Sequence, residues 1–535
     1  MRNIYILAFL LILTILLSIK VTKRATNLMV EGDASAEMVL SHTLSKSNEL
    51  FSKDWIYPRE IQLFLQLIFA PLFKVISDWS QIRFIGTLIL HFLLLLSFTF
   101  MMKKANQDIY SILLGCILLL LPYCVVYGRI ALYQVMYLPN IIISFFTVGL
   151  LFSVIKSYRQ SKKIICVIYL LVLFAFIFFI SMTSIRYIAE ILFPLILVCL
   201  FSAFVKNDFL INENIHDTIL WYISLLGIVI AGFAGYFFGK NTIMQTYKIG
   251  DSANINLTIR RSFNTSIWKC ILHQFGFRTG VSVISIIGIF SLAGLFVAFY
   301  IFYSSIMSFK EKSLSISDVI LRRMSIASFL IVVLEMCLLD GIEITPRYFI
   351  SSSIWMIPLL CSYLKDYLFQ NKLRPDKCFY FLCVIIMAIN GLLNASFFLN
   401  PDEIAKQPYE GLPYTNPNMV KDLKRSIEFI TDNNYEFGYA TYWEATTITE
   451  KTNGLPVGGF TVEGNKLVPA MMLTLRSYAT YPAEKVFLLM DVTNAQYFPN
   501  FEVPFEWEEV YRDTKYVIYD IVDYDQMRIY LDSNR

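Results

Sequence analysis

The sequence predicts a polytopic α-helical membrane protein of about 11 transmembrane helices that ends in a C-terminal extracytoplasmic α/β domain. Three observations predict it. Of 535 residues, 56% are hydrophobic and only 16% are charged, whereas a soluble domain carries roughly 25% charged residues. Apolar stretches recur at close to the ~20 residues an α-helix needs to cross about 30 Å of hydrocarbon. Past residue 400 the composition turns abruptly polar.

The spans are expected near residues 4–20, 82–102, 108–127, 138–155, 164–182, 187–205, 219–238, 281–306, 325–340, 348–364 and 378–398. The N-terminus resembles a signal sequence, and Ala34-Ser35-Ala36 has the small-x-small form of a cleavage site. That site lies too far past the apolar run, with charges between, so residues 4–20 are read as an uncleaved first span. Residues 61–77 are apolar but short, with Pro71 and Lys74 inside, and are expected to lie in the interface or re-enter.

Loop charge sets the orientation, because cytoplasmic loops collect Lys and Arg. With the N-terminus inside, the inner loops hold Lys103 and Lys104; Lys156, Arg159, Lys162 and Lys163; Lys206; Lys310, Lys312, Arg322 and Arg323; and Lys365, Lys372, Arg374 and Lys377. The short outer loops hold Arg129, Arg186 and Arg347. An odd number of spans then puts the C-terminus outside, in a plasma membrane. The expected division is a transmembrane domain over 1–399, with extracytoplasmic loops 21–81 and 239–280, and a water-facing domain over 400–535. In that domain, Met419, Leu423, Ile427 and Ile430 have helical spacing. Strands are expected at Tyr439–Tyr442, Lys485–Met490 and Lys515–Ile521, with turns at Asn453-Gly454 and Gly458-Gly459.

Several function classes drop out. A net charge of +4 without a basic stripe does not suit nucleic acid. There is no CxxC pair, no HExxH, no GxSxG and no GxxxxGK[ST]. Eight of nine cysteines lie in apolar segments, with Cys270 in a loop.

Three groups of residues could carry chemistry. The first is the acidic stretch Glu31-Gly32-Asp33-Ala34-Ser35-Ala36-Glu37, soon after the first span. Asp33 is either the N-cap of an amphipathic helix over Ala34–Leu50 or a general base that takes a proton from a hydroxyl nucleophile. Three acids in seven residues make only a weak cation signature, so no metal or other cofactor is assigned. The second group is Arg129, Arg186 and Arg347, each where a span meets the outer face. Such arginines either snorkel to headgroups or clamp phosphate, which guanidinium binds bidentately. Arg347-Tyr348 opens a span just after the acidic Asp340–Glu343 loop, and helix N-termini favour anions. Loop 239–280 adds Lys248, Arg260, Arg261, Lys269 and Arg278. The third group is Gly438-Tyr439-Ala440-Thr441-Tyr442-Trp443-Glu444-Ala445, either a packed strand or a surface where a sugar stacks on Trp443 and bonds Glu444. Glu37 is the remaining acid that could meet a polar acceptor.

With these residues in place, the pattern resembles the GT-C superfamily of integral membrane glycosyltransferases, related to the protein O-mannosyltransferases and aminoarabinose transferases. The likeness rests on Glu31-Gly32-Asp33 after the first span, on Asp54-Trp55-Ile56-Tyr57-Pro58-Arg59-Glu60 leading into the 61–77 segment, and on Arg347-Tyr348. Tyr442-Trp443-Glu444-Ala445 is similar to an element of bacterial relatives. The resemblance implies a sugar donor on a polyprenyl phosphate, a glycan or lipid acceptor at the membrane surface, and inversion by a single displacement. It implies Asp33 as base and Arg347 as phosphate ligand; Arg129 and Arg186 join it from topology alone. The outer loop near Arg129 lacks the additional acid of metal-dependent members, which favours a monophosphate donor.

Two other functions use similar parts. A glycan polymerase or ligase also has many spans and outward arginines, but needs no acid after the first. A flippase or transporter would put charges near the bilayer midplane, where only Glu190 and Glu335 come close.

Overall fold

The computed structural model describes residues 2–58, 61, 63–204, 215–247, 256–257, 265–278, 281–311, 314–340, 344–365, 375–400, 419–470 and 472–534. Lys206, Lys248, Arg260, Arg261, Lys312, Lys372, Arg374, Arg59, Glu60 and Glu343 lie outside them. The chain forms two compact units. One is 1–24, 87–240 and 253–413; the other is 25–86, 241–252 and 414–535. The second unit therefore joins the first long loop to the C-terminal segment, a division different from a linear cut at residue 400.

In the first unit the chain is a multi-pass bundle. Among the described residues of the whole chain, seven helices are long and apolar enough to span: Ile4–Leu28, Trp79–Lys104, Leu138–Arg159, Lys163–Thr183, His216–Thr246, Ile286–Lys310 and Lys377–Leu399. Each overlaps an expected span. Of the other four expected spans, three are irregular. Ile109–Leu120 is followed by a π-helical turn, Tyr127–Tyr133, and another π turn, Ile188–Leu192, precedes Phe193–Phe204. Residues 346–364 break into a 3₁₀ turn and two short helices, Ile350–Ser353 and Met356–Leu364. Ile316–Leu338 is long enough but polar at its start. Arg323, counted above as a loop cation, is fully buried there: its guanidinium donates to Ser202 Oγ at 2.7 Å and to the Ser308 carbonyl at 2.8 Å.

The second unit is a three-layer α/β/α fold. From the first loop come α1 (Gly32–Ser47), β1 (Trp55–Ile56) and α2 (Phe64–Phe73). At ten residues α2 is about 15 Å long, half the hydrocarbon thickness, so it does not span. The C-terminal segment supplies α3 (Met419–Asp432), β2 (Phe437–Thr441), α4 (Tyr442–Lys451), β3 (Val457–Glu463), β4 (Lys466–Pro469), β5 (Thr474–Leu475), β6 (Val486–Asp491), β7 (Trp507–Arg512), β8 (Tyr516–Ile521) and α5 (Tyr524–Ser533). The six-stranded sheet runs β4-β3-β2-β6-β8-β7, with β2 parallel to β3 and β6 and the other pairs antiparallel.

Strand residues alternate between the faces. Val486, Leu488 and Met490 of β6 join Met527 and Leu531 of α5 on one face. Phe487 and Leu489 join Leu423 and Ile430 of α3 and Ala445 and Ile448 of α4 on the other. A strand covered on both faces reads as one apolar run rather than an alternating one.

The first loop is sewn onto this sheet. β1 pairs antiparallel with β5. The Asp54 carboxylate accepts from the Ser477 amide at 2.8 Å and its hydroxyl at 2.5 Å. Trp79 Nα donates to Asn453 Oδ1 at 3.0 Å. Asn453 and Gly454 both take positive φ, 56° and 111°, as the expected Asn-Gly turn requires.

Candidate active site

α1 begins at Gly32 with Glu31 at the N-cap, and the Glu31 side chain makes no capping bond. Asp33 is therefore not the cap. It sits inside the first helical turn, where the unpaired N–H groups and the helix dipole favour an anion. Its neighbours Gly32, Ala34, Ser35 and Ala36 are buried, while Asp33 and Glu37, one turn apart on the same face, are partly open.

The partner of Asp33 comes from α4. Tyr442 is 9% exposed, and its phenol O–H donates to Asp33 Oδ1 at 2.7 Å. Burial, then the acids around it, hold that phenol well above its ordinary pKa, so it stays the donor. Four residues on, Thr446 Oγ1 donates to the Gly32 carbonyl at 2.9 Å. Four further, Glu450 is 1% exposed and bound by Arg83 Nε at 2.6 Å, while Arg83 Nη2 also donates to the Ala34 carbonyl at 2.9 Å. Trp443 closes over Gly32: a Cβ added there would stand 2.9 Å from the indole and 3.0 Å from the Trp443 Cα. Glycine is thus required at position 32 for this approach.

Glu37 accepts from the Gln66 amide of α2. Burial, then the charge of Asp33, pushes its carboxyl up to about 8, against the pull of Arg83. Glu37 therefore keeps its proton at neutral pH, one helical turn from Asp33.

Trp443 and Glu444 belong to α4, not to a strand. Trp443 packs on the α3 side of the sheet. Glu444 accepts from the Thr441 hydroxyl and from Tyr516 Oη at 3.4 Å, and burial pushes its carboxyl up to about 7. Glu444 is thus bonded to Thr441 and Tyr516 of the C-terminal segment, and Tyr442 is the residue that bonds Asp33.

The arginines belong to the first unit. Arg347 and Tyr348 stand in the 3₁₀ turn Pro346–Phe349, the guanidinium 5.6 Å from the Tyr348 ring. Arg186 lies 5.2 Å over the Tyr137 ring, and the rings of Tyr137 and Tyr348 meet edge-on at 6.4 Å. Both guanidiniums are within electrostatic reach of the Tyr137 phenol. Arg186 and Arg347 are therefore brought together around two tyrosines. Glu190 approaches Arg186 at 3.9 Å and accepts from Asn140 at 2.9 Å. Arg129 is 1% exposed inside the π turn Tyr127–Tyr133, which excludes snorkelling to headgroups. Arg278, from the basic loop, bonds Asn394 and lies 5.2 Å over Phe397.

The residues that sequence reasoning missed are Tyr442 as a contact, Thr446, Glu450 and Arg83. A signal existed: Tyr442, Thr446 and Glu450 fall at i, i+4 and i+8, a single stripe of a helix. It was hidden by ending a strand at Tyr442.

No family model matches the chain, and no curated protein matches it. Solved structures do match it, two of one protein among them. The crystal structure of ArnT from Cupriavidus metallidurans bound to undecaprenyl phosphate aligns at TM-score 0.55 and 10% identity, covering 97% of this chain and 98% of that one. The apo crystal structure of the same protein aligns at TM-score 0.51 and 10% identity, covering 95% and 96%. At that identity the likeness concerns the fold alone, and it extends over nearly the whole of both chains. The multi-pass helical architecture with a strand-containing C-terminal domain, expected from the sequence, is the fold shared with these structures.

Proposed function

We propose that the chain is an inverting glycosyltransferase that moves a sugar from a polyprenyl-phosphate carrier to a glycan, glycolipid or cell-wall polymer at the outer face of the membrane. One observation carries the reading: a carboxylate in the first turn of a helix just after the first span, with its side chain and both flanking carbonyls held by protein groups. A side chain that only decorated a surface would not be bonded by a buried phenol, on a backbone held at the residues before and after it. The whole-length likeness to ArnT, which was captured with undecaprenyl phosphate, supports the donor class.

In this reading the acceptor hydroxyl gives its proton to Asp33 as its oxygen attacks the anomeric carbon. The bond from that carbon to the lipid phosphate breaks, and the electron pair leaves with the phosphate. Arg347, with Arg186, neutralises the charge gathering on the phosphate oxygens, and Tyr348 flanks them. Arg129 acts from its buried turn as a second layer. Glu37, neutral, offers the acceptor a hydrogen bond beside the base. The N-terminus is cytoplasmic and the second unit extracytoplasmic, where the acceptor resides.

The test is a deletion strain complemented with wild type or with Asp33→Asn at matched membrane levels. The surface glycan should revert to the deletion pattern with Asp33→Asn, while the lipid-linked donor accumulates. A glycan indistinguishable from wild type would remove Asp33 from the reaction.

A further inference from the structure

Resting on the reading of Asp33 as base, the geometry points to Tyr442 as its positioning residue: a phenol carried by the C-terminal segment that fixes the carboxylate for proton transfer. A carboxylate one bond from its Cβ turns freely about two torsions, and a base must be held within a few tenths of an ångström to act. Here the freedom is removed in layers. The Tyr442 O–H donates to Oδ1 at 2.7 Å and fixes the plane of the carboxylate. The peptide carbonyl before Asp33 is held by Thr446, and the one after it by Arg83, itself clamped by Glu450.

All three α4 residues lie on one stripe, and α4 is anchored by Ala445 and Ile448 in the core beneath the sheet. Trp443 over Gly32 sets the spacing between α1 and α4. The brace is therefore a rigid element of the C-terminal segment pressed against the start of α1. It gives that segment a task in the reaction without requiring that it touch the sugar.

The hydroxyl can be deleted with the ring kept. In membranes of the deletion strain carrying a radiolabelled pool of polyprenyl-linked sugar, Tyr442→Phe should lower the initial rate of label transfer from lipid to glycan about tenfold. Protein level and thermal unfolding midpoint in detergent should stay at wild-type values. Placing 4-aminophenylalanine at 442, which restores an N–H donor at the same place, should recover most of the rate. A purely structural role would not give that rescue. Wild-type rate in Tyr442→Phe while Asp33→Asn is inactive would overturn the positioning role and leave the reading of Asp33 intact. Loss of rate that 4-aminophenylalanine does not restore would equally overturn it. Full rate in Asp33→Asn would overturn the underlying reading and this inference together.

Discussion

Glu37 shows how much a single side chain can be shaped by what surrounds it. Its sequence context showed only an acid that could meet a polar acceptor; packed against α2 and one turn from Asp33, it holds its proton up to about pH 8. The folded-state pKa is raised above the unfolded value near 4.5, so the folded protein binds this proton more tightly. Stability from that preference is full below pH 4.5 and falls as pH rises to about 8, where Glu37 must ionise in place. Glu37→Gln, neutral at every pH, should remove the decline. We expect its thermal midpoint in detergent to match wild type at pH 5 and to exceed it at pH 8.5, by on the order of 1 kcal/mol or more of stability, since each pKa unit is worth about 1.4 kcal/mol. Parallel curves for the two proteins across that range would mean Glu37 is not the titrating group. The Asp33 assignment was legible at this scale only as a choice between cap and base. The helix settles half of it, by starting at Gly32, two residues earlier than the cap reading needed.

At the scale of elements, α4 is where sequence and structure diverge most usefully. Tyr439–Tyr442 reads as strand because aromatic residues and threonine favour pleated surfaces. The strand is real but stops at Thr441, and tertiary packing turns the next ten residues into a helix. Helix and strand propensities of such short polar runs are nearly balanced, so only the sheet and α1 decide between them. The ion pair at the far end of α4 is equally invisible in sequence, because Arg83 and Glu450 are 367 residues apart. Burial acts to raise the Glu450 carboxyl, but Arg83 and the hydrogen bonds outweigh it, and the net result lies below the ordinary carboxylate range. Its contribution is present above pH 4.5 and lost as pH falls through the depressed folded value. Glu450→Gln strands a buried guanidinium and should cost about 3–5 kcal/mol, whereas replacing both partners by apolar residues of similar volume should cost much less. Comparing the thermal midpoints of Glu450→Gln and Arg83→Met/Glu450→Leu checks this. Equal losses would show that the pair is not acting as a unit.

For the whole molecule, hydropathy was enough to locate the bundle, since a span must be apolar for its whole length. It failed at the irregular spans. The π turns around Arg129 and Glu190 and the broken segment 346–364 pack polar and charged groups inside the bundle. A window average cannot tell that from a plain helix. Hydropathy also could not show that the first loop folds with the C-terminal segment, because β1 pairs β5 across more than four hundred residues of sequence. The central claim is a single displacement with Asp33 taking the proton. It is tested most directly by comparing, by NMR, the anomeric configuration of the sugar in the accumulated lipid-linked donor with that of the same sugar in the glycan product. The account predicts opposite configurations, with product formation abolished by Asp33→Asn. The same configuration in donor and product would contradict it.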